Sequence, residues 1–256
     1  MKGKHIASIA IITVVKSDES GLALTLDSIL LQNFQNWKCL IVLGPCIDNT
    51  EVTAQNYSLR DHRIEFMYEE SQGVYAAMND GINHTHEPFL IFMNAGDSFA
   101  TNDSLLLLYK GITNGEYDFC IGNFLIDQEV NSRVPGVGGE IDLIDFAFNR
   151  NWGNHQSMIF RRLSNKMRYD TKFQIAADFK LVLQYLSVKK GRRIDAPIAR
   201  IQSGGVSDRK LVEGHLEKYR IRRELISGLR PQTANIIWTL LAIVKITFQQ
   251  RFMRKQ

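Results

Sequence analysis

An aspartate at the end of a turn-like segment that follows a short apolar run stands in a setting suited to chemistry. The run Phe89-Leu90-Ile91-Phe92-Met93 ends in Asn94-Ala95-Gly96-Asp97. Five apolar residues are too few for a membrane span and indicate a strand that is buried on both faces. Ligands bind at the carboxyl edge of open α/β sheets, where an aspartate can hold a divalent cation against a phosphate. An Asx turn is the alternative, since Asn, Gly and Asp are common turn residues.

Further polar groups stand where predicted strands end or predicted helices begin. Asp48 lies in the loop after another predicted strand, and Gly73 opens the segment Gly73-Val74-Tyr75-Ala76-Ala77-Met78-Asn79. His155-Gln156 precedes a short predicted strand, and Asp178 lies at the start of a predicted helix. An acid at that position also suits the helix dipole, so a purely structural aspartate is the alternative there. A lone histidine is likewise often structural.

Alternating strand-like and helix-like segments position these groups. In the first part of the chain, strands are predicted at 6–15, 37–43, 64–68 and 89–93, and helices after Asp18, near 51–60 and at 74–84. Beyond Asp97 the pattern is looser, with a helix at 102–110, strands at 118–122, 158–161 and 194–201, a glycine-rich loop at 135–139 and a helix at 175–188. This alternation predicts an α/β fold with a parallel, doubly wound sheet.

The charge of the chain is concentrated at its C-terminal end. All 256 residues together carry a formal net charge of +4. From residue 209 onward, eleven Lys or Arg and three Glu give +8, so the preceding residues carry −4. This distribution argues against nucleic acid as a partner of the main body and for an anionic partner of the C-terminal segment.

The basic C-terminal segment contains a short apolar run, Ile236–Val244. The run is too short for a membrane span, which needs roughly 20 mainly apolar residues. We expect an interfacial helix instead, with Trp238 and Phe248 in the headgroup boundary. In this interpretation anionic lipid is faced by Arg222, Arg223, Arg230, Arg251, Arg254 and Lys255. A helix that packs on the sheet or on a dimer partner is the alternative.

Cysteine usage and the N-terminus both suggest a cytoplasmic protein. The three cysteines, Cys39, Cys46 and Cys120, are odd in number and lack metal-ligand spacing, which favours a reducing compartment. We interpret Cys39 and Cys120 as core residues of strands. The N-terminus imitates a signal peptide, but Ile9–Val15 is strand-like and no small-residue cleavage site follows it.

Taken together, the motifs resemble glycosyltransferase family 2, of the GT-A fold, and especially bacterial members that build exopolysaccharide, capsule or O-antigen units. The resemblance covers about residues 6–208 and is most specific from Gln72 to Ile82 and through Asn94-Ala95-Gly96-Asp97. His155-Gln156, Ala177-Asp178 and Gly204-Gly205-Val206-Ser207 recur in that subgroup in the same order. The resemblance implies a Rossmann-like, mostly parallel mixed sheet flanked by helices in residues 1–208. The charge distribution and the apolar run predict a basic amphipathic helical extension at 209–256.

The resemblance also implies roles for the two aspartates. Asp97 matches the last acid of the family's Asp-x-Asp element, which holds Mg²⁺ or Mn²⁺ and so neutralises the departing diphosphate. Asn94 and Gly96 replace the other acids, so the implied metal relies on the phosphates of the nucleotide. Asp178 matches the base that takes the proton from the acceptor hydroxyl, which implies inversion at the anomeric carbon.

Donor recognition is implied at several further positions. Leu43 departs from the family pattern, which usually has a base-contacting Asp there, so the base stays open, with uridine the commonest choice. His155 and Gln156 are implied on the acceptor or diphosphate side. The residues implied to bind the nucleotide sugar are Thr13, Val14, Asp48, Glu70, Gly73, Asn79, Asn94, Ala95 and Gly96.

The implied function is metal-dependent hexosyl or hexosaminyl transfer from a nucleotide-diphosphate sugar, with UDP-sugar expected, to a lipid-linked saccharide. We expect the protein at the cytoplasmic face of the inner membrane, bound through its C-terminal segment, and leave a homodimer open. One alternative is a non-enzymatic interaction subunit derived from a transferase, which Leu43 and the reduced acidic motif favour. A sugar nucleotidyltransferase is less well supported, because only Lys16 and no glycine follows the first strand directly.

Overall fold

The computed structural model describes residues 8–126, 138–148, 153–163, 167–203, 210–226 and 229–253. The first elements are β1 (Ile9–Val15), α1 (Glu19–Leu30), β2 (Trp37–Leu43), α2 (Thr50–Arg60), β3 (Ile64–Tyr68), α3 (Val74–His84) and β4 (Phe89–Phe92). They are followed by β5 (Ser98–Phe99), α4 (Ser104–Thr113), β6 (Phe119–Ile126), β7 (Gly139–Ile141), α5 (Leu143–Phe148), a 3₁₀ turn (His155–Ser157) and β8 (Met158–Arg161). The last elements are α6 (Ala177–Leu186), β9 (Gly191–Ile201), α7 (Leu211–Leu225) and α8 (Leu229–Met253).

The strands of the described residues form one mixed sheet of nine strands. Its order is β3-β2-β1-β4-β8-β6-β9-β5. The strand β7 stands outside this order and also pairs with β9. The first four strands of this order are parallel, and β8 runs antiparallel to both β4 and β6. The predicted α/β fold with a mostly parallel mixed sheet is therefore confirmed. The carboxyl ends of β1, β2, β4 and β6 share one edge of the sheet.

The strands β1 and β4 are buried along their whole length because helices cover both faces of the sheet. In β1, Ala10 and Ile12 belong to a core that includes side chains of α3, α6 and α7, whereas Ile9 and Ile11 belong to a core with α1 and α4. Burial on both faces explains why these strands show no polar alternation. Both predicted strand cysteines, Cys39 and Cys120, are buried, and burial raises the pKa of each thiol to about 12.

Several local predictions differ from the structure where contacts distant in sequence decide the outcome. The strand predicted at 118–122 continues to Ile126, because β6 pairs with β9 along its length. The strands β5 and β7 and the helix α5 were not predicted, since each has six residues or fewer. Gly204-Gly205-Val206-Ser207 and residues 135–137 of the predicted loop lie outside the described residues.

The prediction that Arg222 faces lipid is wrong. Arg222 is buried, its Nε donates to the Ala147 carbonyl at 2.6 Å, and its Nη1 lies 3.2 Å from Asn235 Oδ1. Burial lowers the pKa of this guanidinium to about 10. A guanidinium can be buried when its donors find acceptors, and here it joins α5, α7 and α8.

The last helix, α8, has one buried face and one exposed face among its described side chains, and the predicted basic amphipathic extension stays a prediction. Asn235, Thr239, Ala242 and Ile246 are buried. An apolar stripe is exposed on the other side, consisting of Ile236, Ile237, Leu240, Leu241 and Val244. Within the described residues, no helix combines the length and the apolar character needed to cross a bilayer. The domain boundary at residue 208 stays a prediction.

Candidate active site

The turn from Asn94 to Asp97 follows β4 and is held in place by α1. Thr25 of α1 is fully buried, and its Oγ1 donates to the Asp97 carbonyl at 2.6 Å and accepts from the Gly96 amide at 3.1 Å. Gly96 has φ +90°, and a Cβ there would lie 2.5 Å from Gln202 Oε1. Only glycine adopts that conformation without strain. The segment is therefore a tight turn, and it also fixes the position of Asp97.

The hydroxyl of Thr25 should therefore contribute measurably to stability. For Thr25→Val we expect a loss of about 1–3 kcal/mol in the free energy of unfolding, because buried carbonyl and amide groups lose a partner. Urea unfolding measures this loss. Thr113→Val is the matched control, since the Thr113 hydroxyl only donates back to the Tyr109 carbonyl within α4. Equal effects of the two substitutions would contradict the assigned role of Thr25.

The carboxylate of Asp97 is almost completely removed from solvent. Asp97 is 6% exposed, its Oδ2 accepts from Gln156 Nε2 at 2.5 Å, and its Oδ1 accepts from the Gln202 amide at 3.0 Å. Burial raises the pKa of this carboxyl to about 6, although the two hydrogen bonds act in the opposite direction. The site thus holds a carboxylate whose charge is poorly solvated and is available to attract a cation.

The carboxylate of Asp178 lies at the start of α6 and close to His155. Its Oδ1 accepts from the Phe179 amide at 2.7 Å, and its Oδ2 is 3.4 Å from His155 Nδ1. The hydroxyl of Tyr75 is 3.5 Å from Asp178 Oδ1. Because His155 and Gln156 are adjacent on the 3₁₀ turn, this dipeptide contacts both aspartates: His155 contacts Asp178, and Gln156 contacts Asp97.

Three buried polar atoms of this cluster have no hydrogen-bond partner among the described residues: Asn94 Oδ1, His155 Nε2 and Gln156 Oε1. Two of them are amide oxygens: Asn94 begins the turn that ends in Asp97, and Gln156 donates to the Asp97 carboxylate. Oxygen atoms are the ligands that Mg²⁺ and Mn²⁺ prefer, so the residues fit such an ion. Within the described residues, no group of three or more His, Cys, Asp or Glu could hold a metal. The fit therefore requires phosphate oxygens of a nucleotide as further ligands.

Asn79 is held by two hydrogen bonds to the backbone of Tyr169. Its Nδ2 donates to the Tyr169 carbonyl at 3.0 Å, and its Oδ1 accepts from the Tyr169 amide at 2.8 Å. The Tyr169 ring stacks on Tyr75, with ring centroids 5.2 Å apart. Both ends of the Asn79 amide are thus used to fasten the segment before α6 to α3. A donor contact of Asn79 stays a prediction that would require this pair to open.

Thr13 and Val14 lie at the end of β1, beside the Asn94–Asp97 turn. Both side chains are buried, and Thr13 Oγ1 is 3.8 Å from Cys39 Sγ. The Val14 carbonyl accepts from the Ala95 amide at 3.3 Å. The backbone at the end of this strand therefore contacts the candidate site, whereas the two side chains are buried in the protein core. Their contact with a nucleoside stays a prediction.

Asp48 joins the loops that follow β1 and β2. Its Oδ1 accepts from Thr50 Oγ1 at 2.5 Å, and its Oδ2 accepts from the Glu19 amide at 3.3 Å. The bond from Thr50 lowers the pKa of the Asp48 carboxyl. Together with Ser17 and Asp18, Asp48 and Glu19 line an open cavity of about 360 Å³ at the ends of these strands. The cavity agrees with the predicted nucleoside site, and a contact of Asp48 with a nucleoside stays a prediction.

Gly73 and Glu70 precede α3. Gly73 has φ +111°, is exposed, and has open space where a Cβ would be. Because Tyr75 approaches Asp178, the N-terminus of α3 lies near the candidate catalytic group, and helix N-termini favour phosphates. The Glu70 side chain is exposed and lies 3.4 Å from the exposed His84 ring. The predicted donor contacts of both residues remain predictions.

Sequence reasoning missed several residues that shape this site. Thr25 left one signal, since it is a polar residue on the apolar face that Leu22, Leu26 and Ile29 define in α1. Gln202 directly follows β9, and nothing in its neighbourhood in the sequence indicates a bond to Asp97. Tyr75 was noted only as part of a motif, although its hydroxyl donates to the Ile175 carbonyl at 2.8 Å.

Solved structures of glycosyltransferases share this fold. A crystal structure of Staphylococcus aureus TarS, residues 1–349, superposes with a TM-score of 0.71 at 12% identity and covers 92% of this chain and 71% of that chain. The same fragment has been solved with UDP and with UDP-GlcNAc. The mannosyltransferase PcManGT from Pyrobaculum calidifontis, in complex with GDP-Man and Mn²⁺, has a TM-score of 0.64 at 10% identity, covering 95% of this chain and 76% of that one.

Curated relatives and a family model agree with the fold. The glycosyltransferase GlyA of Streptococcus pneumoniae is 30% identical over 116 residues, which are 45% of this chain and 16% of that protein. A PGL/p-HBAD biosynthesis glycosyltransferase of Mycobacterium tuberculosis is 29% identical over 157 residues, 60% of each protein. The alignments thus span less than two thirds of either relative. The model of glycosyl transferase family 2 matches residues 8–186, and the chain accordingly belongs to that family, with the GT-A fold.

Proposed function

We propose that this chain is an inverting glycosyltransferase that uses a nucleotide-diphosphate sugar as donor. One observation carries the proposal: the adjacent residues His155 and Gln156 bring a buried aspartate, Asp97, and a helix-terminal aspartate, Asp178, to a common site. Sugar transfer needs one acid near the departing diphosphate and another near the acceptor hydroxyl. The two aspartates supply these groups, and each of them contacts one residue of the 3₁₀ turn.

In this proposal Asp178 accepts the proton of the acceptor hydroxyl. The hydroxyl oxygen forms a bond to the anomeric carbon while the bond from that carbon to the diphosphate breaks, which inverts the configuration. His155, 3.4 Å from Asp178, orients the carboxylate. Asp97 would hold Mg²⁺ or Mn²⁺, with the buried amide oxygens of Asn94 and Gln156 as further candidate ligands. The bound cation would supply positive charge at the leaving diphosphate.

A uridine nucleotide is the proposed donor, and a hexosyl or hexosaminyl unit the proposed sugar. The UDP and UDP-GlcNAc complexes of the structurally similar TarS support this choice. Leu43, where the family usually has a base-contacting Asp, is buried at the end of β2 and offers the base no hydrogen bond. Calorimetric titration with UDP, GDP and Mn²⁺, each alone and in combination, tests the donor. If no nucleotide binds with metal, an interaction subunit derived from a transferase becomes the better explanation.

The proposed acceptor is a lipid-linked saccharide at the cytoplasmic face of the inner membrane. Two features of the C-terminal segment support this proposal: the net charge of +8 from residue 209 onward and the exposed apolar stripe of α8. Apolar side chains that are flanked by basic residues bind anionic bilayers by burial and by charge attraction. We propose that this stripe lies on anionic lipid, with a second copy of the chain as the competing occupant.

Two leucines of the stripe offer a direct test. Leu240 and Leu241 are 59% and 57% exposed, so Leu240→Ser/Leu241→Ser should cost little stability. Flotation with phosphatidylglycerol vesicles should show binding weaker by at least about tenfold, because two leucines no longer enter the boundary. Leu59→Ser, on an 87% exposed residue of α2, is the control and should bind normally. Unchanged flotation together with a shift from dimer to monomer would instead identify a second copy as the occupant.

A further inference from the structure

A carboxylate from α7 holds the backbone directly before the catalytic helix. The Glu217 side chain accepts from three consecutive amides: Oε1 from Gln174 at 2.9 Å, and Oε2 from Ile175 at 2.9 Å and Ala176 at 2.8 Å. Ala176 is the N-cap residue of α6 and offers no side-chain oxygen to the first turn. An N-cap residue with a side-chain oxygen would normally bond the amides of this region, and Glu217 supplies an acceptor from another helix where Ala176 has none.

The same short segment is fixed from its other side by α3. The Tyr75 hydroxyl donates to the Ile175 carbonyl at 2.8 Å, so Ile175 is bonded through both its amide and its carbonyl. Asp178 follows two residues after Ala176. The direction in which its carboxylate points is therefore set by a backbone segment with contacts to α3 and to α7, which lie far apart in the sequence.

Glu217 is itself rigidly placed, because α7 is anchored on the same face. Ile221, one turn after Glu217, is fully buried in the core that includes Phe179 of α6. The Lys218 ammonium lies 5.6 Å from the Phe179 ring centroid. Burial lowers the pKa of Lys218, and the nearby Asp178 charge opposes that shift. The anchor for Glu217 is thus made of packed side chains and does not depend on the carboxylate alone.

We propose that Glu217 is a positioning residue for the transfer reaction. Through Glu217, α7 contributes to the active site although it lies in the C-terminal extension. The inference rests on the proposed function, in which Asp178 is the base. Glu217 touches neither donor nor acceptor in this proposal. It acts by holding residues 174–176 so that Asp178 stays beside His155 and is aligned with the acceptor hydroxyl.

Glu217→Gln tests the inference, because glutamine keeps the size but has only one acceptor oxygen. We expect amide hydrogen exchange of the peptide covering 174–178 to speed up at least tenfold. We expect kcat to fall about 10- to 100-fold, as a displacement of about 1 Å can cost that much, with the donor KM changed less than twofold. Should Glu217→Gln fold poorly, Glu217→Asp keeps the charge but shortens the reach, and the same changes are expected from it.

Glu224→Gln is the matched control. Glu224 also lies on α7 and also contacts α6, since it is 2.5 Å from Lys180 Nζ, but the amides of residues 174–176 are bonded to Glu217. It should leave kcat and exchange of that peptide near wild type. Equal losses for Glu217→Gln and Glu224→Gln, or wild-type kcat and exchange for Glu217→Gln, would overturn the inference. A wild-type protein inactive with every nucleotide sugar would instead refute the proposed function. The exchange data would still show whether Glu217 holds residues 174–176.

Discussion

Asp178→Asn is expected to lower kcat by a factor of about 10² to 10⁴ while the donor KM stays nearly constant. Asparagine matches aspartate in shape and can still accept from the Phe179 amide, a bond that measures 2.7 Å in the wild type. It cannot take up the proton of the acceptor hydroxyl, so the chemical step alone should suffer. Single-turnover transfer from a radiolabelled donor measures the effect without interference from product release.

The control for Asp178→Asn is Glu65→Gln, which removes one charge from an exposed residue of β3. It should transfer as fast as wild type. A folded Asp178→Asn protein with wild-type kcat would show that another group takes the proton, with His155 the nearest titratable alternative. A large rise in donor KM at constant kcat would instead assign Asp178 to donor binding.

Asp97→Asn is expected to weaken metal-dependent nucleotide binding strongly and yet to stabilise the free protein. The carboxylate is the charged group of the candidate metal site, so its loss should remove most of the gain in nucleotide affinity that Mn²⁺ provides. Calorimetric titration of UDP with and without Mn²⁺ measures this gain. For the wild type, the gain should also decline as the pH falls through about 6, where the Asp97 carboxyl becomes protonated.

The stabilisation by Asp97→Asn follows from the pKa of the same carboxyl. Burial raises this pKa from 3.8 to about 6, so folding favours the protonated form. The wild type therefore gains most from this group below about pH 4 and loses stability as the pH rises through about 6. Two pKa units correspond to about 3 kcal/mol, which is the upper bound on the advantage of the neutral asparagine near pH 8.

Urea unfolding without metal or nucleotide, at pH 4 and at pH 8, measures this difference. Asparagine can keep the bond from the Gln202 amide, and its own amide can donate to Gln156 Oε1, which has no partner in the described structure. The advantage of Asp97→Asn should therefore be present at pH 8 and nearly absent at pH 4. A variant less stable than wild type at both values would show that the hydrogen bonds outweigh the cost of burying the charge.

The elements that the sequence predicted best are those whose pattern is complete within their own residues. The bounds of β2, β3, α3 and β8 coincide with the predicted ones, because each is an apolar run or a periodic segment with a polar boundary. The strand β7 has an exposed glycine and glutamate and forms only because β9 lies beside it. Such an element has no local pattern to detect.

The candidate site divides in the same way. Asp97 and Asp178 could be selected because each stands at a recognisable boundary, a strand end and a helix start. Their spatial relation depends on Gln156 and His155, which the sequence indicated only through the family resemblance. Glu217 gave no signal, because an exposed-looking acid on a basic helix resembles any solvated residue. Its role depends on the packing of α7 against α6, which no local pattern encodes.

The position of β9 has a practical consequence for anyone who shortens this protein. The family match ends at residue 186, whereas β9 spans Gly191–Ile201 and lies inside the sheet, between β6 and the short strands β5 and β7. A recombinant fragment cut at the family boundary would leave β6 as a bare edge with unpaired amides and carbonyls. Bare edges recruit strands from other chains, so such a fragment should aggregate even though it retains both aspartates.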